Sequence, residues 1–240
     1  MLQEVYKILA YHLGVPPKQF NWRYSDKDDK ITDNRYTPQE FYKDVIGVNL
    51  KDYVTIFNHP VHPFDKYYQV KFRRNMADEP DMTFINLDIK AVKIYTLNSL
   101  LDNEPVWFAA DVGWQMERKI GIMAEGIYQY DALFGIEYQM SKTERIQYGI
   151  SAANHAMAFI GADTIEGKPS KWRVENSWGT DLGDKGYWTM YDNWFDAYVF
   201  TLIIHKKYLP EKVLAILKTK PTILPTWEPL AKSLDEMGQR

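Results

Sequence analysis

The tightest constraint on this chain's fold lies in its second half, where short β-branched and aromatic runs alternate with turn-forming clusters. Residues 156–160, 171–177, 186–190 and 199–204 each read as a strand, and Gly and Asp/Asn clusters separate them, the pattern of antiparallel strands. The first half reads differently. Leu2, Val5, Ile8, Leu9, His12 and Leu13 fall on one face of a helix that Gly14 and Pro16-Pro17 stop. On that face His12 is expected to be a packed core or boundary residue. Thr37-Pro38-Gln39-Glu40 is a helix start, with Thr as N-cap, Pro at the first helical position and Glu at the third. Asp88 caps a third helix through Leu101, with Ile89, Val92, Ile94 and Leu97 as its apolar positions. Residues 53–57, 67–72, 83–87 and 106–110 read as extended. Residues 18–36 are charge-rich and read as a solvated loop or hairpin, 192–195 as a single turn, and 210–217 as a short helix with Pro at its start. Helices first and an antiparallel sheet after them is an α+β arrangement. Within one continuous portion, 1–104 is expected to be mostly helical and 105–240 a β-rich lobe.

Composition bounds the function. The net charge of −3 carries no basic footprint, so nucleic acid is an unlikely partner. No apolar run approaches the roughly 18 residues that span a bilayer, and the N-terminus lacks a signal peptide's apolar core, so a cytoplasmic setting is expected. Eight Trp and 17 Tyr suit a well-packed core or an aromatic-lined cleft. There is no cysteine, which excludes disulfides, thiolate metal sites and a thiol nucleophile within these 240 residues.

The five histidines sort unequally. His59 and His62 sit three apart in NHPVHP, but no third ligand of suitable type lies at a recognisable spacing, so no metal site is expected there. His205 ends an apolar strand. His155 is different: it opens a strand in Asn154-His155-Ala156-Met157-Ala158-Phe159, with small residues before it that leave room for another group to approach the imidazole. Twenty-one residues on stands Asn176, in Val174-Glu175-Asn176-Ser177-Trp178-Gly179.

NHAMAF, then KWRVENSWG, then Asp184-Lys185-Gly186-Tyr187-Trp188 resembles the His and Asn strands of papain-like cysteine peptidases. In detail it is similar to the bleomycin hydrolase/aminopeptidase C branch. Pro105–Gly113 (PVWFAADVG), Pro16–Phe20, Thr37–Tyr42 and Ile223–Pro229 also resemble segments of that branch, in the same order along nearly the whole chain. The resemblance implies a papain-like fold: a helical N-terminal part, then an antiparallel sheet or half-barrel lobe carrying the His and Asn. It implies peptide substrates, no cofactor and a ring-like homo-hexamer. It makes His155 the general acid/base, Asn176 the residue that orients its ring, Trp178 a shield over their hydrogen bond, and Gly179 a sharp backbone turn.

Two departures stand beside it. In the family the nucleophilic Cys and an oxyanion-stabilising Gln precede the His and Asn. Here no Gln-x-x-x-x-x-Cys occurs, and Ser25, in a charged loop, does not replace the thiol. A helix beginning at residue 2 without a cap also reads as cut into. The expectation is therefore a C-terminal portion whose N-terminal half is missing, inactive alone, with apolar faces left open to association. A pseudoenzyme or assembly scaffold is the alternative, and an enzyme using His155 with another nucleophile is a third reading. Family members also commonly end soon after the PxWxPM-like segment, with the chain's carboxylate in the cleft to meet a substrate amine. Here eleven residues follow Pro229, so aminopeptidase and endopeptidase action both stay open.

Overall fold

The structure, a computed structural model, describes residues 2–229 except 75, 77, 138 and 139. The long tail expected to bear on exopeptidase action, 230–240, lies outside the described residues. Two compact units form, residues 1–50 and 51–240.

The first unit holds α1 (Leu2–Leu13), the hairpin β1 (Phe20–Ser25) and β2 (Ile31–Tyr36), and α2 (Pro38–Phe41). In β1, Phe20, Trp22 and Tyr24 occupy every second position of a strand that also carries Asn, Arg and Ser. Period 2 puts those rings on one face, and Phe41 meets Phe20 at 5.3 Å and Trp22 at 5.1 Å. Asp26 Oδ1 accepts from the backbone N–H of Asp28 and Lys30 and so closes the turn. The expected start of α2 is present as a full capping box between Thr37 and Glu40. His12 departs from expectation: it is exposed, as are Val5, Ile8, Leu9 and Leu13 on the same helix. The apolar periodicity of α1 is real, but among the described residues that face stays exposed.

The second unit is built on an 11-stranded sheet. Its strands in chain order are β3 (Tyr53–Phe57), β4 (Lys66–Val70), β5 (Thr83–Asn86), β6 (Val106–Ala110), β7 (Met116–Glu117), β8 (Ile122–Met123), β9 (His155–Ile165), β10 (Lys168–Glu175), β11 (Tyr187–Tyr191), β12 (Val199–His205) and β13 (Thr222–Leu224). The spatial order is β13-β4-β5-β3-β12-β6-β9-β10-β11-β8-β7. The helices of this unit are α3 (Ile89–Leu101), α4 (Tyr130–Phe134), α5 (Lys142–Gln147), α6 (Asp192–Tyr198) and α7 (Glu211–Ile216). The α+β class stands. The sheet is mixed rather than purely antiparallel, because β13–β4, β3–β5 and β11–β8 run parallel. The expectation of a mostly helical 1–104 also gives way: five strands lie there, and β3–β5 join the same sheet as the strands of 105–240.

The core gathers where β6, β9 and β10 meet α6. Phe159 stacks on Phe108 at 3.8 Å and on Phe195 at 5.2 Å, and its ring lies 5.4 Å from Trp172. All four rings are essentially inaccessible. Each such burial contributes about 1.5–3 kcal/mol or more. The α3 stripe is less apolar than its sequence suggests. Val92, Lys93, Tyr95, Thr96 and Ser99 face inward, whereas Ile94 is exposed. Lys93 is tolerated there because its ammonium pairs with Asp192 at 2.7 Å and Asp196 at 2.6 Å, both on α6. The expected single turn at 192–195 thus extends to a seven-residue helix.

Candidate active site

The register of three strands sets the site. His155 is the first residue of β9 and lies opposite Ala110, the last of β6. On the other side β10 pairs with β9, with a register shift between Arg173 and Val174, and ends at Glu175, one residue before Asn176. The strand ends therefore present His155 and Asn176 side by side. His155 Nε2 lies 2.8 Å from Asn176 Oδ1. The Ser177 N–H donates to the same Oδ1 at 2.8 Å, which identifies that atom as the amide's acceptor. An oxygen acceptor requires Nε2 to carry the hydrogen, and the neutral ring then offers Nδ1 as its base. Asn176 is buried, and its Nδ2 has no hydrogen-bond partner among the described residues, so Oδ1 alone holds the amide's orientation.

Trp178 packs against the imidazole of His155. Its ring centroid is 4.8 Å from that of His155, at an interplanar angle of 32°. Behind it the buried Trp188 stands edge-on at 5.4 Å, and the Arg118 guanidinium lies 5.2 Å from the Trp178 ring. The turn that follows needs glycine. Gly179 has φ +83°, a region costly to any residue with a Cβ. Gly186 has φ +91°, and a Cβ there would sit 3.2 Å from the Gly179 carbonyl oxygen. The Gly186 carbonyl accepts from the Asn176 N–H at 3.1 Å, so this loop fixes the backbone that aims the amide.

A second polar group anchors the other end. Asp111, buried just past β6, accepts from Ser151 Oγ at 2.6 Å and from Asn154 Nδ2 at 2.9 Å. Asn154 also accepts from the Val112 N–H at 2.8 Å, and its own N–H donates to the Ala110 carbonyl. These bonds tie the residue before His155 to the strand beside it. Asp111, Ser151 and Asn154 were not singled out as site residues, although an Asp at the end of the apolar run VWFAA signalled a buried carboxylate that needs donors. A cavity of about 300 Å³ opens beside them, lined by Val112, Trp114, Ile150, Ala152 and Asn154 among others.

The structure thus brings His155, Asn176, Trp178 and Gly179 into one locality. His205 is elsewhere, at the end of β12, where its Nδ1 accepts from the Lys207 N–H. The expectation that His59 and His62 have no third ligand is corrected: the fold carries Glu228 to them, 166 residues from His62. His59 is held down to about 4, chiefly by burial and then by the neighbouring His62, so its ring is neutral at pH 7. Among the described residues no helix is long and apolar enough to cross a membrane.

Residues 1–231 match the model of the Peptidase C1-like family. Aminopeptidase C of Lactobacillus delbrueckii subsp. lactis is 37% identical over 236 residues, which cover 96% of this chain and 53% of that protein. Human bleomycin hydrolase is 37% identical over 239 residues, covering 96% and 52%. The crystal structure of PepW from Lactobacillus rhamnosis superposes with a TM-score of 0.92 at 42% identity, over 95% of this chain and 53% of that one. The chain belongs to the Peptidase C1-like family. It spans about half the length of the curated relatives it matches.

Proposed function

We propose that this chain supplies the acid–base half of a cysteine aminopeptidase of the bleomycin hydrolase/aminopeptidase C kind. The observation that carries the reading is the 2.8 Å bond from His155 Nε2 to Asn176 Oδ1 beneath Trp178, in a chain with no cysteine. An imidazole oriented through Nε2 has Nδ1 available to take a proton from a thiol. The thiolate then attacks the peptide carbonyl, and the imidazolium returns the proton to the leaving amine, leaving a thioester that water hydrolyses. Asn176 holds the ring through both steps and Trp178 keeps the pair dry. The thiol itself comes from a Cys-bearing segment outside these 240 residues, so the chain alone is inactive. The strand ends that carry the chemistry lie within residues 105–240, and β3–β5 of the first 104 residues extend the same sheet. A cytoplasmic setting and a ring of six copies belong to the same reading, the latter tested by light scattering after reconstitution.

The test is complementation. A separately expressed Cys-bearing N-terminal half of a relative is mixed with this chain and assayed on an aminoacyl fluorogenic substrate, alongside the same substrate with its amine blocked. Activity on the free amine alone supports the aminopeptidase, and equal activity on both supports an endopeptidase. Binding without activity favours the scaffold reading. No binding and no activity would sink the proposal.

A further inference from the structure

We propose that His59, His62 and Glu228 form a binding site for one divalent transition-metal ion of the zinc type, which fastens the segment after β13 to the loop after β3. One ligand atom from each of the three side chains lies within 4.8 Å of the other two. His62 Nε2 and Glu228 Oε1 are 2.7 Å apart, and the two imidazoles stack at 5.4 Å and 21°. Two imidazoles and one carboxylate form a donor set that suits Zn²⁺ and its neighbours rather than Mg²⁺ or Ca²⁺, which prefer oxygen. A tetrahedral ion bound at about 2.0–2.1 Å needs its ligand atoms about 3.3 Å apart. The His62–Glu228 pair has to open by about half an ångström and His59 has to close by up to about 1.5 Å, movements within the reach of side-chain torsions. The ion then stands in place of the His62–Glu228 hydrogen bond.

Three further observations separate this from a chance ion pair. His59 is almost fully buried and its Nδ1 has no hydrogen-bond partner among the described residues, a cost that a native fold rarely leaves unexplained. The loop is also built in advance. Buried Asn86 donates to the carbonyls of His59, His62 and Pro63, and accepts from the His59 N–H at 2.9 Å. Tyr68 donates to the Pro63 carbonyl at 3.0 Å. Such outer bonds fix where first ligands sit. Lastly, the carboxylate arrives on a segment that needs fastening, since β13 is a three-residue strand that, among the described residues, pairs with β4 alone. The ammonium of Lys142 is directed to Asn58 Oδ1 and the Val199 carbonyl. The absence of cysteine removes the usual thiolate competitor.

The probe is Co²⁺, followed by displacement with Zn²⁺, on the untagged, chelator-stripped full chain. The expected result is one equivalent bound, with the intense visible bands of tetrahedral Co²⁺, bleached stoichiometrically by Zn²⁺, and a rise in melting temperature with Zn²⁺. Replacing a direct ligand should cost more than the roughly 10–100-fold typical of outer-shell changes. His62→Gln and Glu228→Gln should therefore lose the spectrum while keeping the far-ultraviolet circular dichroism of the parent, and His205→Gln should retain both. If either Gln variant fails to fold, the parent's stoichiometry and Co²⁺ spectrum still decide. No tetrahedral spectrum at millimolar Co²⁺, or a spectrum unchanged in both variants, overturns the site and leaves only a His–Glu ion pair.

Discussion

Lys142 offers a quantitative test of how this fold spends stability. Its ammonium donates to Asn58 Oδ1 at 2.7 Å and to the Val199 carbonyl, and lies 4.6 Å from the Phe200 ring. Among the described residues no carboxylate accepts from it, and burial, with Arg145 second, pushes it down from 10.5 to about 7. At about 1.4 kcal/mol per tenfold step, holding the charge in the folded state costs at most about 5 kcal/mol below pH 7. Lys142 keeps some surface in water, and solvent penetration trims this to about 3–5 kcal/mol. The sign follows from proton counts. Between pH 7 and 10.5 the unfolded chain holds the proton that the folded chain has lost, so stability rises with pH across that window. Lys142→Met removes the titration and leaves two acceptors short of a donor, at about 1–3 kcal/mol each. The variant should match or exceed the parent near pH 6 and fall below it near pH 10, a swing of about 3–5 kcal/mol. Urea denaturation of both proteins at pH 6, 8 and 10 measures the difference, in which other titrating groups cancel. A difference constant to within about 1 kcal/mol across that range would refute the reasoning.

Other outcomes follow from the packing and the site. Phe159→Ala empties the centre of the Phe108–Trp172–Phe195 cluster and should cost about 3–5 kcal/mol in urea denaturation. Gly186→Ala meets both a left-handed φ and the Gly179 carbonyl, whereas Gly179→Ala meets a left-handed φ with open space around its Cβ. Gly186→Ala should therefore destabilise more than the roughly 1–2 kcal/mol expected of Gly179→Ala, by the same denaturation. In the reconstituted enzyme Asn176→Ala should lower kcat with KM little changed, and by less than His155→Ala, because it orients the proton carrier and transfers nothing itself.

Much of the site was legible because its chemistry is local in sequence. A strand that opens on His155 after small residues and a strand that closes on Asn176-Ser177-Trp178-Gly179 need only adjacent pairing to meet, and β9 and β10 pair directly. The α+β order was legible from periodicity. What escaped depended on distant partners. Glu228 reaches His62 across 166 residues, through the parallel pairing of β13 with β4, and no spacing rule reaches that far. The burial of Lys93 rests on Asp192 and Asp196, about a hundred positions on, beyond the reach of local periodicity. The aromatic alternation in β1 was hidden by the charges around it. His12 failed in the opposite direction: a correct helical face was read as a buried one, and among the described residues it stays exposed.

The central claim is that His155, aimed by Asn176, activates a thiol delivered by another segment. Its most direct measurement is the pH dependence of alkylation of that thiol by iodoacetamide in the reconstituted protein. Beside a working imidazole the thiol reacts as a thiolate well below its free value of about 8.5, and the account predicts rapid alkylation at pH 5–6. With His155→Ala the profile should move up to that free value, and with Asn176→Ala part of the way. Identical profiles for the parent and His155→Ala would contradict it.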